Sequence, residues 1–463
     1  IGASILVKGA NASTITDTDG KFTIKIPAGA SRTLVISYIG MEKQEVFARN
    51  GMVVKLNSAD HTLDDVVVVG YQTIRKEAKT GSIATVDGDE LASIPETSVD
   101  KMLSGKMAGV SVSSSNGQPG SVATIRVRGT SSIGAGNNPL YVVDGIPVES
   151  GDVGGLSNSM NAIALINPSD IASVTVLKDA AAASIYGSRA AFGVILVTTK
   201  SGKAGKVKVN YSGDIRFSTA TQVPKMANSL QFATYFNTAN INAGGSNIFS
   251  DETMANIKKY MNGEFTDPSQ PEYWGTTANV ENGKWNNYGS AFANTDWFEE
   301  FYKKNVPSTQ HNLSLSGGTE KFNWSVSGSF LLQNGLISHG HDELDRYTLN
   351  SKIGAELASW ARLDYSTKWT RKDYEKPQYL TGLFFHNIAR RWPSCPVVDP
   401  NGNWMAEMEI YELEDGGVYK ENNDEFTQQL KFTFTPLKGW NIYAEGALRL
   451  TNNKTTQNKI PIY

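Results

Sequence analysis

The segment His339-Gly340-His341-Asp342-Glu343 holds a dense set of side chains that can bind a metal ion. Imidazole and carboxylate groups are common zinc ligands. The two histidines lie in a short stretch expected to be an exposed loop, and this pair is too sparse for a defined site. We interpret these side chains as exposed polar groups of a loop and predict no metal.

A second acidic segment, Asp17-Thr18-Asp19-Gly20, resembles part of a calcium-binding loop. The spacing of an EF-hand loop would place Ile15 at the first ligand position and Ile26 at the last, where a bidentate glutamate is needed. A tight hairpin turn at Asp19-Gly20 fits the residues better.

The sequence also lacks the patterns of phosphate binding and covalent catalysis. Gly202-Lys203-Ala204-Gly205-Lys206 does not have the spacing of a P-loop. The single cysteine, Cys395, cannot form an internal disulfide or a multi-cysteine metal site. No arrangement of nucleophile, acid and base stands out, so the sequence predicts neither an enzyme nor a cofactor.

Charge and hydropathy exclude two further classes of protein. Among the 463 residues, 43 Lys and Arg against 46 Asp and Glu give a net charge of −3, and no basic stripe could follow a nucleic-acid backbone. The longest apolar run is Ala162 to Ile166, whereas a membrane-spanning helix needs about 20 residues. A mean hydropathy of −0.30 remains compatible with a transmembrane β barrel, whose strands alternate apolar and polar residues.

Residues 1–57 predict a small β sandwich. Turn signals such as Asn50-Gly51 separate short apolar runs at Ile5 to Val7, Phe22 to Ile26, Leu34 to Ile39 and Val53 to Leu56. The segment opens abruptly in strand-like sequence, and a sandwich usually has about seven strands. We therefore expect its first strand to be missing.

Residues 58–75 read as a linker that carries an unusual valine run, Asp64-Asp65-Val66-Val67-Val68-Val69-Gly70. Four consecutive valines favour an extended strand. The residues leave two interpretations open. The run is one more strand of the sandwich, or it is a tethered strand that docks onto the sheet edge of another protein.

Residues 76–202 mix short strands with two short helices. Apolar residues at helical spacing predict a helix from Val99 to Met107, before Gly109. Asp179 can cap a second helix that begins at Ala180 and stops at Gly187. Strands are expected at 125–128, 140–143, 174–177 and 194–198, which makes this segment a compact α+β unit.

From residue 203 onward the pattern changes to long strands with strict alternation of apolar and polar residues. Such strands are predicted at 207–217, 309–317, 321–332, 345–357, 361–371, 427–435 and 440–450. Tight turns and long connections alternate between them, as in a barrel with one periplasmic and one external end. Seven strands cannot close a bacterial barrel, because such barrels have an even number of strands. The α+β unit of residues 76–202 comes just before the first strand, and it would fit inside only a wide barrel of about 22 strands. We expect about two thirds of the barrel to lie outside this sequence.

Several stretches closely resemble the SusC-like family of TonB-dependent outer-membrane transporters of Bacteroidota. They are Leu63 to Tyr71, Ile125 to Gly129, Leu140 to Pro147, and Val176 through Tyr186-Gly187-Ser188-Arg189 to Lys200. Ala191-Phe192 departs from the small residues usual there. The resemblance spans essentially the whole chain and implies a mainly β fold: a carboxypeptidase-regulatory-like sandwich (1–57), a linker (58–75), a plug domain (76–202) and the start of a 22-stranded barrel (203–463).

The resemblance also implies the partners and the location. Residues 64–70 correspond to the TonB box, which favours the tethered-strand interpretation and implies TonB, with ExbB and ExbD, as the energy source. Family members usually pair with a SusD-like surface lipoprotein and import an oligosaccharide or an oligopeptide. They lie in the outer membrane, with the N-terminal domain and TonB box in the periplasm. A non-transporting surface adhesion protein is the alternative from another class.

Two sets of site residues follow as expectations. Charged plug residues that suit a polar barrel wall are Arg126, Arg128, Lys178, Asp179 and Arg189, although each also fits an ordinary solvated surface. Candidate ligand-binding residues lie in the polar loops 113–120 and 149–160 and in the aromatic-rich connection 218–308, and they are Ser115, Asn116, Gln118, Asp152, Asn158 and Trp297. Packing within the connection is the alternative for its aromatic rings.

Overall fold

The structure is a computed structural model that divides the chain into two compact units, Ile1–Thr80 and Gly81–Tyr463. The residues that it describes are 2–56 except 11, 18, 28, 39, 40, 42 and 43, then 66–69, 72–75, 83–94, 96–114, 117–129, 138–148, 163, 166–276, 279–281, 284–286, 291–405, 409–437 and 440–461. Within these ranges, no helix combines the length and apolar composition that a membrane span requires.

The first unit contains a four-stranded antiparallel sheet in the order β2-β1-β3-β4. Its strands are β1 (Ser4–Val7), β2 (Ser13–Ile15), β3 (Thr33–Ser37) and β4 (Gln44–Phe47). Residues 22–26 and 53–56, predicted as strands, pair with no described strand. Phe22, Ile24, Ile26, Val54 and Leu56 nevertheless pack against the buried cluster of Ile5, Val7, Leu34 and Ile36.

The structure bears on two sequence interpretations in the first unit. The Asp17 carboxylate accepts hydrogen bonds from the backbone amides of Asp19 and Lys21 at 3.0 and 2.8 Å, so its oxygen stabilises a turn. The valine run forms β5 (Val66–Val69), which pairs with β6 (Gln72–Arg75) rather than with the four-stranded sheet. The run is therefore not a strand of this four-stranded sheet, and its role as a docking strand stays a prediction.

The second unit begins with the part of the chain that the resemblance assigns to the plug, here called the plug region (83–199). Its elements are β7 (Ile83–Asp87), α1 (Gly88–Ala92), α2 (Val99–Met102), β8 (Val110–Ser113), β9 (Thr124–Val127), β10 (Leu140–Val143), β11 (Ile146–Val148), β12 (Ile171–Leu177), α3 (Ala180–Ala183) and β13 (Val194–Thr199), with 3-10 turns at Pro168–Asp170 and Ser184–Ala190. Five strands form one sheet in the order β11-β10-β13-β12-β7, and β8 pairs with β9.

The plug region has its own hydrophobic core between this sheet and its helices. Leu91, Val99, Leu103, Ile171 and Val174 are fully buried in it. The helix predicted to reach Met107 ends at Met102 and continues as turns. Asp179 caps α3 as expected, since its carboxylate accepts the Ala182 amide at 2.7 Å.

The rest of the second unit is dominated by a seven-stranded antiparallel sheet, here called the strand wall. In chain order its strands and connecting elements are β14 (Gly205–Ser218), α4 (Ser229–Asn242), α5 (Asp251–Met261), β15 (Asn279–Glu281), β16 (Lys284–Asn286), α6 (Trp297–Phe301), β17 (Val306–Gly318), β18 (Phe322–Asn334), β19 (Glu343–Ala358), β20 (Ala361–Pro377), α7 (Gly382–Ile388), α8 (Ile410–Glu414), β21 (Val418–Leu437) and β22 (Trp440–Gln457), with a 3-10 turn at Pro271–Trp274.

All seven predicted strands are confirmed, and each pairs with its neighbour in sequence in the order β14-β17-β18-β19-β20-β21-β22. Short connections at 319–321 and 359–360 alternate with long ones at 219–305, 335–342 and 378–417, and the third short turn includes 438–439, outside the described residues. The strands contain 13 to 20 residues, longer than predicted.

The three long connections pack together around a hydrophobic cluster of their own. Its fully buried residues are Trp297, Phe301, Leu380, Ile388 and Ile410. The interpretation of 339–343 as exposed polar groups of a loop is wrong for His339 and Asp342, which are each 8% exposed. His339 lies against the rings of Phe301 and Trp404, so apolar packing removes it from water.

Candidate functional site

The β10–β11 hairpin carries the acidic residue that joins the plug region to the strand wall. Val143 pairs with Ile146, so the hairpin loop contains only Asp144 and Gly145. Both have positive φ, 50° and 90°, as the central residues of a type I′ turn require. Asp-Gly is a favoured sequence for this turn, and the turn places the Asp144 carboxylate at the end of the sheet.

Two lysines of the wall converge on this carboxylate. Lys352 Nζ on β19 lies 3.1 Å from Asp144 Oδ1, and Lys368 Nζ on β20 donates to Oδ2. From the neighbouring strand β13, the amide and hydroxyl of Thr199 each donate to Asp144 at 2.8 Å. The Asp144 side chain is 10% exposed, so four donors satisfy a nearly buried anion.

The electrostatics of this site favour the ionised carboxylate. Burial alone would raise the pKa of Asp144, but the ammonium groups of Lys352 and Lys368, with the Thr199 amide, outweigh it and hold that pKa well below its usual range. The charge of Asp144 is therefore fixed in the folded state, and either lysine would be left with an unpaired charge if the hairpin withdrew.

Further polar contacts extend the junction between the plug region and the wall. Asn350 Nδ2 donates to Asp170, and Gln310 Nε2 donates to the Asn167 side chain at 3.2 Å. Gln429 Nε2 donates to the Asp144 carbonyl at 2.9 Å. Burial raises the pKa of Asp170, partly offset by its hydrogen bonds.

A second group of contacts lies nearer the long connections. Arg346 Nη2 donates to the Thr97 carbonyl at 3.3 Å. The Gln333 side-chain oxygen accepts the Gly120 amide at 3.3 Å and the Thr97 hydroxyl at 3.4 Å. Both wall residues point to the same face as Lys352 and Lys368, so this face of the wall is the one that holds the plug region.

The five charged residues expected to contact the wall lie elsewhere on the plug region. Arg126, Arg128 and Arg189 are exposed. Lys178 Nζ donates to the Ala108 carbonyl at 3.0 Å, and Asp179 caps α3. No described strand covers the exposed arginines, and a contact between these five residues and a barrel wall stays a prediction.

The expected ligand-binding residues are only partly described. Ser115, Asn116, Asp152 and Asn158 lie outside the described residues, as do Asp64, Asp65 and Gly70 of the valine run. Gln118 is half-buried, in the loop that precedes Gly120.

Trp297 requires a correction. It is fully buried, and its indole N–H donates to the Trp392 carbonyl at 3.0 Å. Neither its ring faces nor its N–H is accessible to a ligand in this conformation, so Trp297 packs the connection rather than binding a ligand.

Asp144, Lys352 and Lys368 were not singled out in the sequence. Asp144 reads as a turn residue, and both lysines read as the polar half of alternating strands. The sequence pattern that could have indicated the site is a pair of lysines on one face of two neighbouring strands. Their partner, Asp144, could not be identified from the sequence because it is set by the docking of the plug region.

Comparisons with known proteins agree with this architecture. Residues 1–69 match the CarboxypepD_reg-like domain, and residues 75–194 match the TonB-dependent Receptor Plug Domain. The TonB-dependent receptor SusC of Bacteroides thetaiotaomicron is 36% identical over 73% of this chain and 29% of its own length. TonB-dependent receptor P26 of Formosa agariphila is 31% identical over 88% of this chain and 36% of its own length.

Solved structures show the same fold. The RagAB peptide importer in its open-open state aligns with a TM-score of 0.63 at 23% identity, over 86% of this chain and 43% of that chain. The chain thus spans about a third of the curated relatives it matches, at 29% and 36% of their lengths. These relatives are receptors rather than enzymes. Two domain matches in this order, the SusC relative and the fold together show that the chain belongs to the SusC-like family of TonB-dependent receptors.

Proposed function

We propose that this chain serves TonB-dependent import of oligomeric nutrients across the outer membrane. The observation that carries the proposal is the two-sided strand wall. Its inner face binds the plug region through Asp144, Lys352 and Lys368. Its outer face is apolar, with 59–68% exposure along β14 at Val207, Val209, Tyr211, Ile215 and Phe217.

The outer face of the wall supports a membrane location. On β19 it is mainly apolar from Tyr347 to Leu357, which spans roughly 25 Å in a tilted strand. Aromatic rings stand at both ends of this band, with Trp360 and Trp440 near the short connections and Phe330 against Tyr347 at the other end. Such aromatic girdles mark the two interfaces of membrane barrels.

Beyond the Tyr347 end of the apolar band, the outer face of the strand wall becomes charged. Arg371 forms ion pairs with Asp373 at 3.0 Å and Asp424 at 3.7 Å, and Lys420 pairs with Glu375 at 2.7 Å. Charged groups of this density are unfavourable in lipid and favourable in water. The strands therefore continue past the bilayer on the side of the long connections, which we assign to the cell exterior.

The valine run supplies the energy input in this proposal. The outer membrane has no ATP, so work must arrive through a protein from the inner membrane. Val66–Val69 forms a two-stranded sheet with Gln72–Arg75, and an isolated pair of strands is only marginally stable in water. Exchange of this pairing for a strand of TonB costs little, and several main-chain hydrogen bonds then carry the pulling force together.

For the substrate we favour oligosaccharides delivered with a SusD-like surface lipoprotein. The support is the 36% identity to SusC over 73% of this chain. An oligopeptide substrate is the alternative within the same fold. Uptake assays with labelled oligosaccharides and oligopeptides of matched mass separate the two.

The test of TonB dependence uses the complete protein in cells that contain its lipoprotein partner. Val67→Pro removes a main-chain N–H, whereas Val67→Ala keeps the backbone donor at the same position. Uptake should be lost in Val67→Pro and in a deletion of residues 64–70, with ligand binding at the cell surface unchanged. Undiminished uptake by both would refute the proposal.

A further inference from the structure

His339 lies where the three long connections of the strand wall meet. It belongs to the connection 335–342, and it is 8% exposed. Phe301, from the connection 219–305, and Trp404, from 378–417, place their rings edge-on to the imidazole at centroid distances of 5.8 and 5.1 Å. The imidazole is therefore held within apolar surroundings by all three connections.

Both ring nitrogens of His339 face carboxylates. Nε2 lies 3.1 Å from Glu300 Oε1 on α6, and Nδ1 lies 3.2 Å from Glu414 Oε1 on α8. The same Glu414 oxygen accepts the Gly340 amide at 3.1 Å. One side chain thus joins two carboxylates that come from different connections.

The protonation state follows from the donors that this geometry needs. An ionised carboxylate only accepts hydrogen bonds, and a neutral imidazole has a single N–H. Two nitrogens that both donate to carboxylates therefore require the imidazolium. We propose that His339, Glu300 and Glu414 form a protonation-dependent clasp that closes the three long connections together in acid and loosens them as pH rises.

The other charged groups near the clasp form ion pairs with partners outside it. Arg391 lies 5.1 Å from the centre of the Phe301 ring and pairs with Glu409 at 2.9 Å. His341 is 3.6 Å from Glu343, with its side chain 60% exposed. Glu299, next to Glu300, pairs with Lys304 at 3.2 Å.

Asp342 reinforces the same pH direction from the same connection. Burial raises the pKa of its carboxyl to about 6, against the weaker opposing effects of Tyr374, Lys376, His341 and Lys303. A carboxyl whose folded pKa is raised favours the folded connection fully below about pH 4, and this contribution is lost as pH rises through about 6.

The clasp is tested by hydrogen exchange of the full-length protein in detergent, with protection factors corrected for intrinsic rates. Between about pH 5.5 and about pH 8, protection of 335–342 and 409–417 should fall at least about tenfold, the effect of losing one charged hydrogen bond. The double variant Glu300→Gln/Glu414→Gln keeps the shape of both partners and lets a neutral imidazole accept from an amide. Its protection should vary with pH much less.

Two controls separate the clasp from its neighbours. His341→Gln changes the exposed histidine of the same connection and should keep the full pH dependence. Asp342→Asn removes the buried carboxyl. In this variant the protection factors should keep the part of their pH dependence that the clasp causes. The proposal is overturned if Glu300→Gln/Glu414→Gln behaves like the unmodified protein, or if His341→Gln or Asp342→Asn alone abolishes the effect.

Discussion

Asp144 shows how one residue can serve two purposes at the junction between plug region and strand wall. Its positive φ suits the two-residue hairpin, and its carboxylate pairs with Lys352 and Lys368. The turn was readable from Asp-Gly alone. The ion pairs were not, because they join positions more than 200 residues apart and depend on how the plug region docks.

The first prediction concerns Asp144→Asn. Asparagine fits the same turn, so the substitution removes the charge and keeps the backbone. Two lysines in a largely buried site then lose their partner, which should weaken docking of the β10–β11 hairpin by about 3 kcal/mol. Hydrogen exchange of residues 140–148 in the full-length protein measures this. Because the pKa of Asp144 is lowered in the folded state, its carboxylate stabilises the docked hairpin of the unmodified protein at neutral pH. This contribution declines only as pH falls below about 4.

Asp89→Asn provides the matched control. Asp89 pairs with Lys200 at 2.7 Å, but its side chain is 81% exposed. An exposed pair contributes at most about 1 kcal/mol. Equal effects of Asp89→Asn and Asp144→Asn on residues 140–148 would contradict the assigned role of Asp144.

At the scale of elements, alternation located the strands but not their ends. The prediction for β20 stopped at residue 371, whereas the strand reaches Pro377. Alternation of apolar and polar residues requires a lipid-facing side, and this side turns charged at Arg371 and Asp373. Apolar–polar alternation in the sequence therefore marks only the part of each strand that lies in the apolar band. The hydrogen-bonded pairing of the strands extends beyond that band. Packing within the connection 218–308 was the sequence alternative for its aromatic rings, and the burial of Trp297 agrees with it. The packing of the three long connections against one another was not predicted, because its contacts join distant segments.

The second prediction tests the band on the outer face. Ile353 lies mid-band on β19 and is 39% exposed, so Ile353→Arg places a charge in lipid. The cost should be about 2–4 kcal/mol near the bilayer centre. Urea unfolding of the full-length protein from lipid vesicles measures it. Asn452→Arg, on β22 opposite Asp424 and beyond the band, should change stability by less than about 1 kcal/mol. Similar losses in both variants would be inconsistent with this placement of the membrane.

At the scale of the whole molecule, the domain order and the seven consecutive strands were predicted correctly, and the comparisons agree on the family. The residues of the junction were not predicted, because their partners are set by the docking of the plug region and not by any local pattern in the sequence. In the proposed function, import requires the plug region to move against the strand wall. Contacts near the long connections, such as Thr97 with Gln333, must then separate during transport.

The most direct test tethers this contact. In a Cys395→Ser background, Thr97→Cys and Gln333→Cys replace side chains whose oxygens lie 3.4 Å apart, and a short reducible dithiol crosslinker joins them. Ser329→Cys with Thr348→Cys, crosslinked in the same way, joins two strands of the wall whose hydroxyls lie 2.6 Å apart. We predict that the first crosslink blocks uptake, leaves surface binding intact and is reversed by reduction, while the second has no effect. Full uptake through the crosslinked Thr97–Gln333 protein would contradict the account.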